Sequence, residues 1–231
     1  MNYKMVLLLS YYFCPVKQIM AIIQRELRHE LRSRKAWLAI LLYTGSTVYI
    51  SYLGLQGSND TATHNAVFWL LIIFISMFAT SGSFAGRESE MFYIYTLVSP
   101  SRFILARLLY NGVFLLSVSL FAFLCFQFFV GFGDTNIALF LAALLLTVWG
   151  ISSLLTMSFS IASKGGGGFT LMAILCFPLL VPLLITAQYL SGLSLSGGET
   201  SNYGGYVAAL LALDAMIAAL CYLLFPYLWR D

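Results

Sequence analysis

Charge is scarce in this chain, so the places where it gathers are the places that could do chemistry. After the N-terminal arm the largest is GRESEMFYIYTLVSPSRFILAR, residues 86–107, which sets Arg87, Glu88, Glu90, Arg102 and Arg107 between two long apolar runs and is interrupted by Ser99-Pro100. Charges of both signs beside Met91, Tyr93, Tyr95 and Leu97 make a piece that apolar side chains anchor at a membrane surface and ionic groups register against a soluble partner. On this reading Arg87, Glu88, Glu90 and Arg102 face the partner, and Pro100 fixes the angle at which the loop returns to the bilayer. A plain cytoplasmic loop of the same composition is the competing reading.

Asp214, in LLALDAMIAAL, is the one ionisable residue deep within an apolar run. Isolating its charge in lipid costs several kcal/mol, which makes it a functional-site candidate. A protonated carboxyl, a bond to a Gln, Ser or Tyr such as Gln127 or Gln188, and pairing with another subunit are all open. Ser153, Thr156 and Ser160 fall three and four apart and share one helix face, where small hydroxyl residues favour close helix packing over a polar path for substrate. Lys164 precedes the glycines Gly165, Gly166, Gly167 and Gly168, and Phe169 follows them. A phosphate loop needs Gly-Lys-Ser/Thr after its glycines, so nucleotide binding is excluded here and a tight, flexible turn is expected. Pro178 and Pro182, four apart on one face, each remove a backbone donor, which predicts a kinked or broken helix at mid-membrane. Such a break would serve as a hinge or translocation element, although proline also occurs in ordinary spans.

No HExxH, GxSxG or nucleotide motif is present, so the chain is not expected to be an enzyme. His29 and His64 fall on opposite membrane faces, and Cys14, Cys125, Cys176 and Cys221 are scattered singly. Neither a metal site nor a disulfide framework is expected.

The elements that must position these residues follow from composition. With 61% hydrophobic residues, 9% charged and a mean hydropathy of +0.90, the chain lies far from soluble domains. A bilayer core takes about 20 helical residues, and six runs reach that length: 36–55, 66–85, 108–131, 137–162, 169–190 and 206–228. They are too long and too continuous for barrel strands. Helices therefore satisfy the backbone in lipid. All twelve Lys and Arg fall in residues 1–35, 86–107 and 163–168 or at Arg230, whereas the alternate segments 56–65, 132–136 and 191–205 hold Asp60, Asp134 and Glu199 and no basic residue. Basic loops mark the cytoplasmic side, so both termini are placed in the cytoplasm. The basic inner face suits membrane lipids with anionic headgroups and gives no reason to invoke nucleic acid.

Residues 1–15 mimic a short signal peptide but lack a small-residue cleavage site, so they are read as an N-terminal extension, with translation expected to start at Met20 in the cell. Over 16–35, Ile19, Ile22, Ile23, Leu27 and Leu31 recur at helical spacing among Arg25, Arg28, Arg32 and Arg34, the pattern of an interfacial amphipathic helix. The expected organisation is thus an all-α polytopic membrane protein: an extension over 1–15, an interfacial helix over 16–35, and six transmembrane helices over 36–231.

Three stretches carry a family resemblance: IIQRELRHELRSRKAW at residues 22–37, FAGRESEMFYIYTLVSPSRFILARLL at 84–109 and KGGGGFTLMAILCFPLLVPLLITA at 164–187. The six spans, the basic amphipathic helix and the Arg-Glu…Ser-Pro-Ser-Arg loop resemble permeases of type-2 ABC exporters. The glycine cluster followed by Pro-x-x-x-Pro is most similar to the haem exporter protein B (CcmB) family of cytochrome c maturation. The likeness covers nearly the whole chain from Met20, and the extension before it departs from the family pattern. It implies a permease subunit in the bacterial inner (plasma) membrane, working with an ABC ATPase subunit that binds ATP, a haem-handling membrane subunit and a second copy of itself. Haem would be handled by the complex, with no cofactor bound by this chain, for haem delivery or for release of a haem-loaded chaperone in the periplasm. The tryptophan-rich haem-handling motif of the partner family is missing here. The alternatives are another type-2 ABC exporter permease, or a motor-independent secondary carrier or scaffold subunit. A carrier would show inverted repeats and intramembrane coupling residues, and apart from Asp214 the sequence has neither.

Overall fold

The computed structural model describes residues 15–32, 34–57, 60–84, 100–132, 136–164, 168–195 and 203–230. Among these the chain forms helices α1 (Pro15–Arg32), α2 (Arg34–Leu55), α3 (Thr61–Phe84), α4 (Pro100–Phe129), α5 (Ile137–Lys164), α6 (Gly168–Leu195) and α7 (Tyr203–Arg230), and no strand. The six helices from α2 to α7 are each long and apolar enough to cross a bilayer.

Their limits depart from the apolar runs where local chemistry sets them. α3 starts at Thr61 because Asp60 caps it: the Ala62 amide donates to Oδ1 and the Thr63 amide to Oδ2, both at 3.2 Å. Such a cap satisfies amides that the first turn leaves without partners. The Thr63 hydroxyl and the Ala62 amide also hold the Asp60 carboxyl below the usual carboxylate range. α4 starts at Pro100, eight residues ahead of the run at 108, since proline suits a first helical position where no amide bond is lost. Asn136 precedes α5 and accepts from the Leu139 amide at 3.3 Å.

Of the kinked or broken helix expected at Pro178 and Pro182, the broken form is not found. Both residues lie inside the single helix α6. A break there would strand backbone polar groups in hydrocarbon; in the continuous helix Pro178 projects outward.

α5 is the hub, packed against α4, α6, α7 and α3. Of its most apolar stretch 56% is buried, against 17% for α2, which therefore sits at the periphery. Leu144, Val148, Ile151, Leu154 and Leu155 of α5 meet Leu183 and Leu190 of α6 and Ile72 and Ile75 of α3 in one continuous core. Towards the α3 start, Phe68 lies at the middle of an aromatic cluster, with ring centroids of Phe123, Phe126, Phe132 and Phe140 at 5.3 to 6.1 Å. Where α4 crosses α5, a Cβ on Gly112 would stand 2.7 Å from Trp149 Cζ3, so glycine lets the indole lie on the α4 backbone.

Candidate functional site

Three polar places interrupt this apolar bundle. The first lies where α1 meets α4. α1 turns Ile19, Ile22, Ile23 and Glu26 towards the bundle, with Ile22 and Glu26 buried. Leu27, a member of the apolar stripe expected of an interfacial helix, is 47% exposed and shares the outward side with Met20. On the bundle side an acid stands four residues after Ile22, where an aliphatic residue would continue the stripe. Its partner is Arg107 of α4, only 3% exposed, with Nη1 4.0 Å from Glu26 Oε1 and the guanidinium 6.0 Å above the Phe103 ring. Ile22, Phe103, Ile104, Ala106, Leu108 and Cys221 form the surrounding apolar cluster. Arg107 therefore does not belong to an exposed loop surface; it lies two turns inside a helix, on a packed face, where a charge requires a counter-charge.

The second place is at mid-membrane. Asp214 is buried on α7 against Gly150 of α5, beside Leu183 of α6. A Cβ on Gly150 would collide with Asp214 Oδ1 and stand 2.5 Å from Leu183 Cδ1. Oδ1 is buried and accepts no hydrogen bond among the described residues. Gln127 and Gln188, named as possible partners, are placed elsewhere: Gln127 Oε1 is itself buried without a donor, and Gln188 lines an outer groove.

That groove, of about 630 Å³, is the third place. It runs between α3 and α6 and is lined by Thr61, Asn65, Ile185, Gln188, Tyr189 and Leu195 among others. Beneath it a neutral network joins the helices: Trp69 Nε1 donates to Ser191 Oγ at 2.8 Å, the Ser191 hydroxyl to Asn65 Oδ1 at 2.9 Å, and Asn65 Nδ2 to the Gln188 carbonyl at 3.1 Å.

Ser153, Thr156 and Ser160 donate back to the carbonyls of Trp149, Ser152 and Thr156 of their own helix. Thr156 also accepts from Asn111 Nδ2 at 2.9 Å, a buried link from α5 to α4. Pro100 is the first residue of α4, Arg102 lies half-buried in its first turn, and Gly168 is the first residue of α6. Arg87, Glu88, Glu90, Gly165, Gly166 and Gly167 lie outside the described residues. Among the described residues no group of His, Cys, Asp and Glu could hold a metal ion.

Sequence reasoning missed Glu26, Gly150 and the Asn65, Trp69 and Ser191 network. A charge at an apolar position of α1 was the available signal for the first, and an asparagine within an apolar run for the third. For Gly150 there was none, because its importance lies in what faces it.

A family model described as CcmB protein matches residues 17–227. No curated protein matches the chain.

Proposed function

This chain belongs to the CcmB family, and we propose that it couples ATP hydrolysis by a partner subunit to haem delivery, or to release of a haem-loaded chaperone, on the periplasmic side. Membership itself carries the coarser statement: the chain is the permease-type subunit of the ABC transporter of cytochrome c maturation, a multi-pass membrane protein that is not the ATPase. The observation that supports the finer reading is the match over residues 17–227 together with six apolar spans, of whose connecting segments 86–107 is the most highly charged. In this proposal the ATPase engages Arg87, Glu88, Glu90 and Arg102, and Pro100 passes its displacement directly into α4. The complex contains two copies of this chain and a haem-handling membrane subunit, and sits in the bacterial inner membrane with both termini of this chain cytoplasmic. Haem is cargo of the complex, and this chain binds no cofactor.

The test is charge reversal, Arg87→Glu with Glu88→Arg, in the intact complex. Recovery of the ATPase with the membrane subunit is expected to fall about tenfold, equivalent to ~1.4 kcal/mol of binding, while membrane insertion is unaffected. Unchanged recovery and unchanged cytochrome c maturation would refute the docking role.

Gly165, Gly166, Gly167 and Gly168 with Pro178 and Pro182 supply, on the same proposal, a place where α6 bends under load without breaking, since each proline omits one bond of the helical ladder. Replacing both prolines with Leu is expected to leave assembly intact and to stop ATP from driving maturation. Maturation at the normal rate in that variant means that the segment is structural.

A further inference from the structure

We infer that Glu26 and Arg107 form a latch that makes the interfacial helix α1 and the first turns of α4 move as one body. The latch joins surface helix and bundle into a single coupling unit. This deepens the reading of the chain as an ATP-driven permease and rests on it.

Four observations carry the inference. α1 packs more extensively against α4 than against α2, although α2 follows it directly in sequence. It is therefore fastened sideways to the third span instead of being a mere extension of the first. The fastening contains an ion pair, Glu26 Oε1 to Arg107 Nη1 at 4.0 Å, with both residues more than nine-tenths buried. Adhesion alone would be served as well or better by aliphatic side chains, because desolvating two ions costs as much as their attraction returns. What an ion pair adds is a single register: α1 cannot slide by a turn along α4 without burying two separated charges. Arg107 lies seven residues after Pro100, about 10 Å along the helix, so a push on the loop that ends at Pro100 reaches the latch through less than two turns of helix. The opposite side of α1, with Met20 and Leu27 exposed beside Arg25 and Arg28, is left to the membrane interface. A helix floating there can travel with α4 without tearing a core, as one buried on every side could not.

Both residues are positioning residues, acting on transport through α1 and α4. The experiment uses the whole complex in cells that depend on it for cytochrome c maturation. It compares Glu26→Gln, Arg107→Gln, the double-neutral Glu26→Gln/Arg107→Gln and the charge swap Glu26→Arg/Arg107→Glu. Recovery of the ATPase with the membrane subunit is measured beside the rate of maturation. The expected result is that the double-neutral variant assembles with the ATPase but matures cytochrome c about tenfold more slowly, and that the swap restores the rate to within about threefold of wild type, the non-additivity expected of residues acting as one unit. Single variants that assemble should fall at least as far as the double. Normal maturation in the double-neutral variant overturns the latch. So does failure of both double variants to assemble, since the pair would then serve folding only. Assembly of the swap without recovery of rate also overturns it. In the first and third of these outcomes the ATPase still co-purifies, so the latch fails while the permease reading stands.

Discussion

Arg107 and Asp214 are both ionisable side chains buried in an apolar bundle, and the fold accommodates them by different means. Arg107, near the start of α4, is met by a carboxylate from another helix. Asp214, at the middle of α7, is met by space: Gly150 withdraws its side chain so that the carboxyl can lie against the α5 backbone. The first arrangement specifies which helix lies beside which, and at what register, because opposite charges must be matched. The second specifies how closely three helices pack, and it turns on volume. Charge at the edge of the bilayer is thus used for registry, and an acid at its centre is held by shape.

Substitutions at Gly150 and Asp214 test that contrast. The larger effect is expected from Gly150→Val, whose side chain would overlap Asp214 Oδ1 and Leu183 Cδ1. Overpacking of a filled core costs about 1–3 kcal/mol, so a lowered melting temperature of the detergent-solubilised complex is predicted. Gly150→Ala combined with Asp214→Ala should melt higher than Gly150→Ala by itself, because the second change clears the collision. A Gly150→Val protein that melts like wild type would mean that the acid swings away at no cost, and the volume argument would fall. A smaller effect is expected from Asp214→Asn, which keeps the shape and removes the ionisable group: less than ~1 kcal/mol in stability, with maturation within about twofold of normal. A tenfold loss of maturation in a well-assembled Asp214→Asn complex would make ionisation part of the mechanism and end the distinction drawn from Arg107.

How much of this was legible in the sequence differs by kind of residue. The six spans were, because a run of about 20 apolar residues has few other uses; the run at 137–162 and α5 (Ile137–Lys164) share their first residue. Helix starts were less so. Asp60 and Pro100 lie outside the hydropathy maxima, and they set the beginnings of α3 and α4 through capping and backbone chemistry. Ile22 and Leu27 were legible as apolar members of one amphipathic helix, but which of them meets the bundle was not, because helical spacing alone does not tell protein from membrane surroundings. Glu26 was legible only as one of the chain's few acids, and its burial against α4 was not. Pro178 and Pro182 left a kinked and a broken helix open, and α6 runs through both unbroken, since in lipid the penalty for exposed backbone outweighs the local preference of proline. Asp214 was recognisable as unusual from its position, but what accommodates it was not, because Gly150 is 64 residues away in sequence and carries no side chain to notice.

The niche for Asp214 also bears on how the protein is made. α7 follows α5 and α6 in the chain and leaves the ribosome after them, and on insertion scales an Asp at the centre of a span costs about 2.5–3.5 kcal/mol. Both walls of the niche, Gly150 on α5 and Leu183 on α6, are synthesised before the acid that they enclose. If that order were reversed by circular permutation, α7 would enter the bilayer with its carboxyl facing lipid and no neighbour to receive it. Vectorial synthesis therefore supplies the receptor before the guest, and α7 inserts into a site already built.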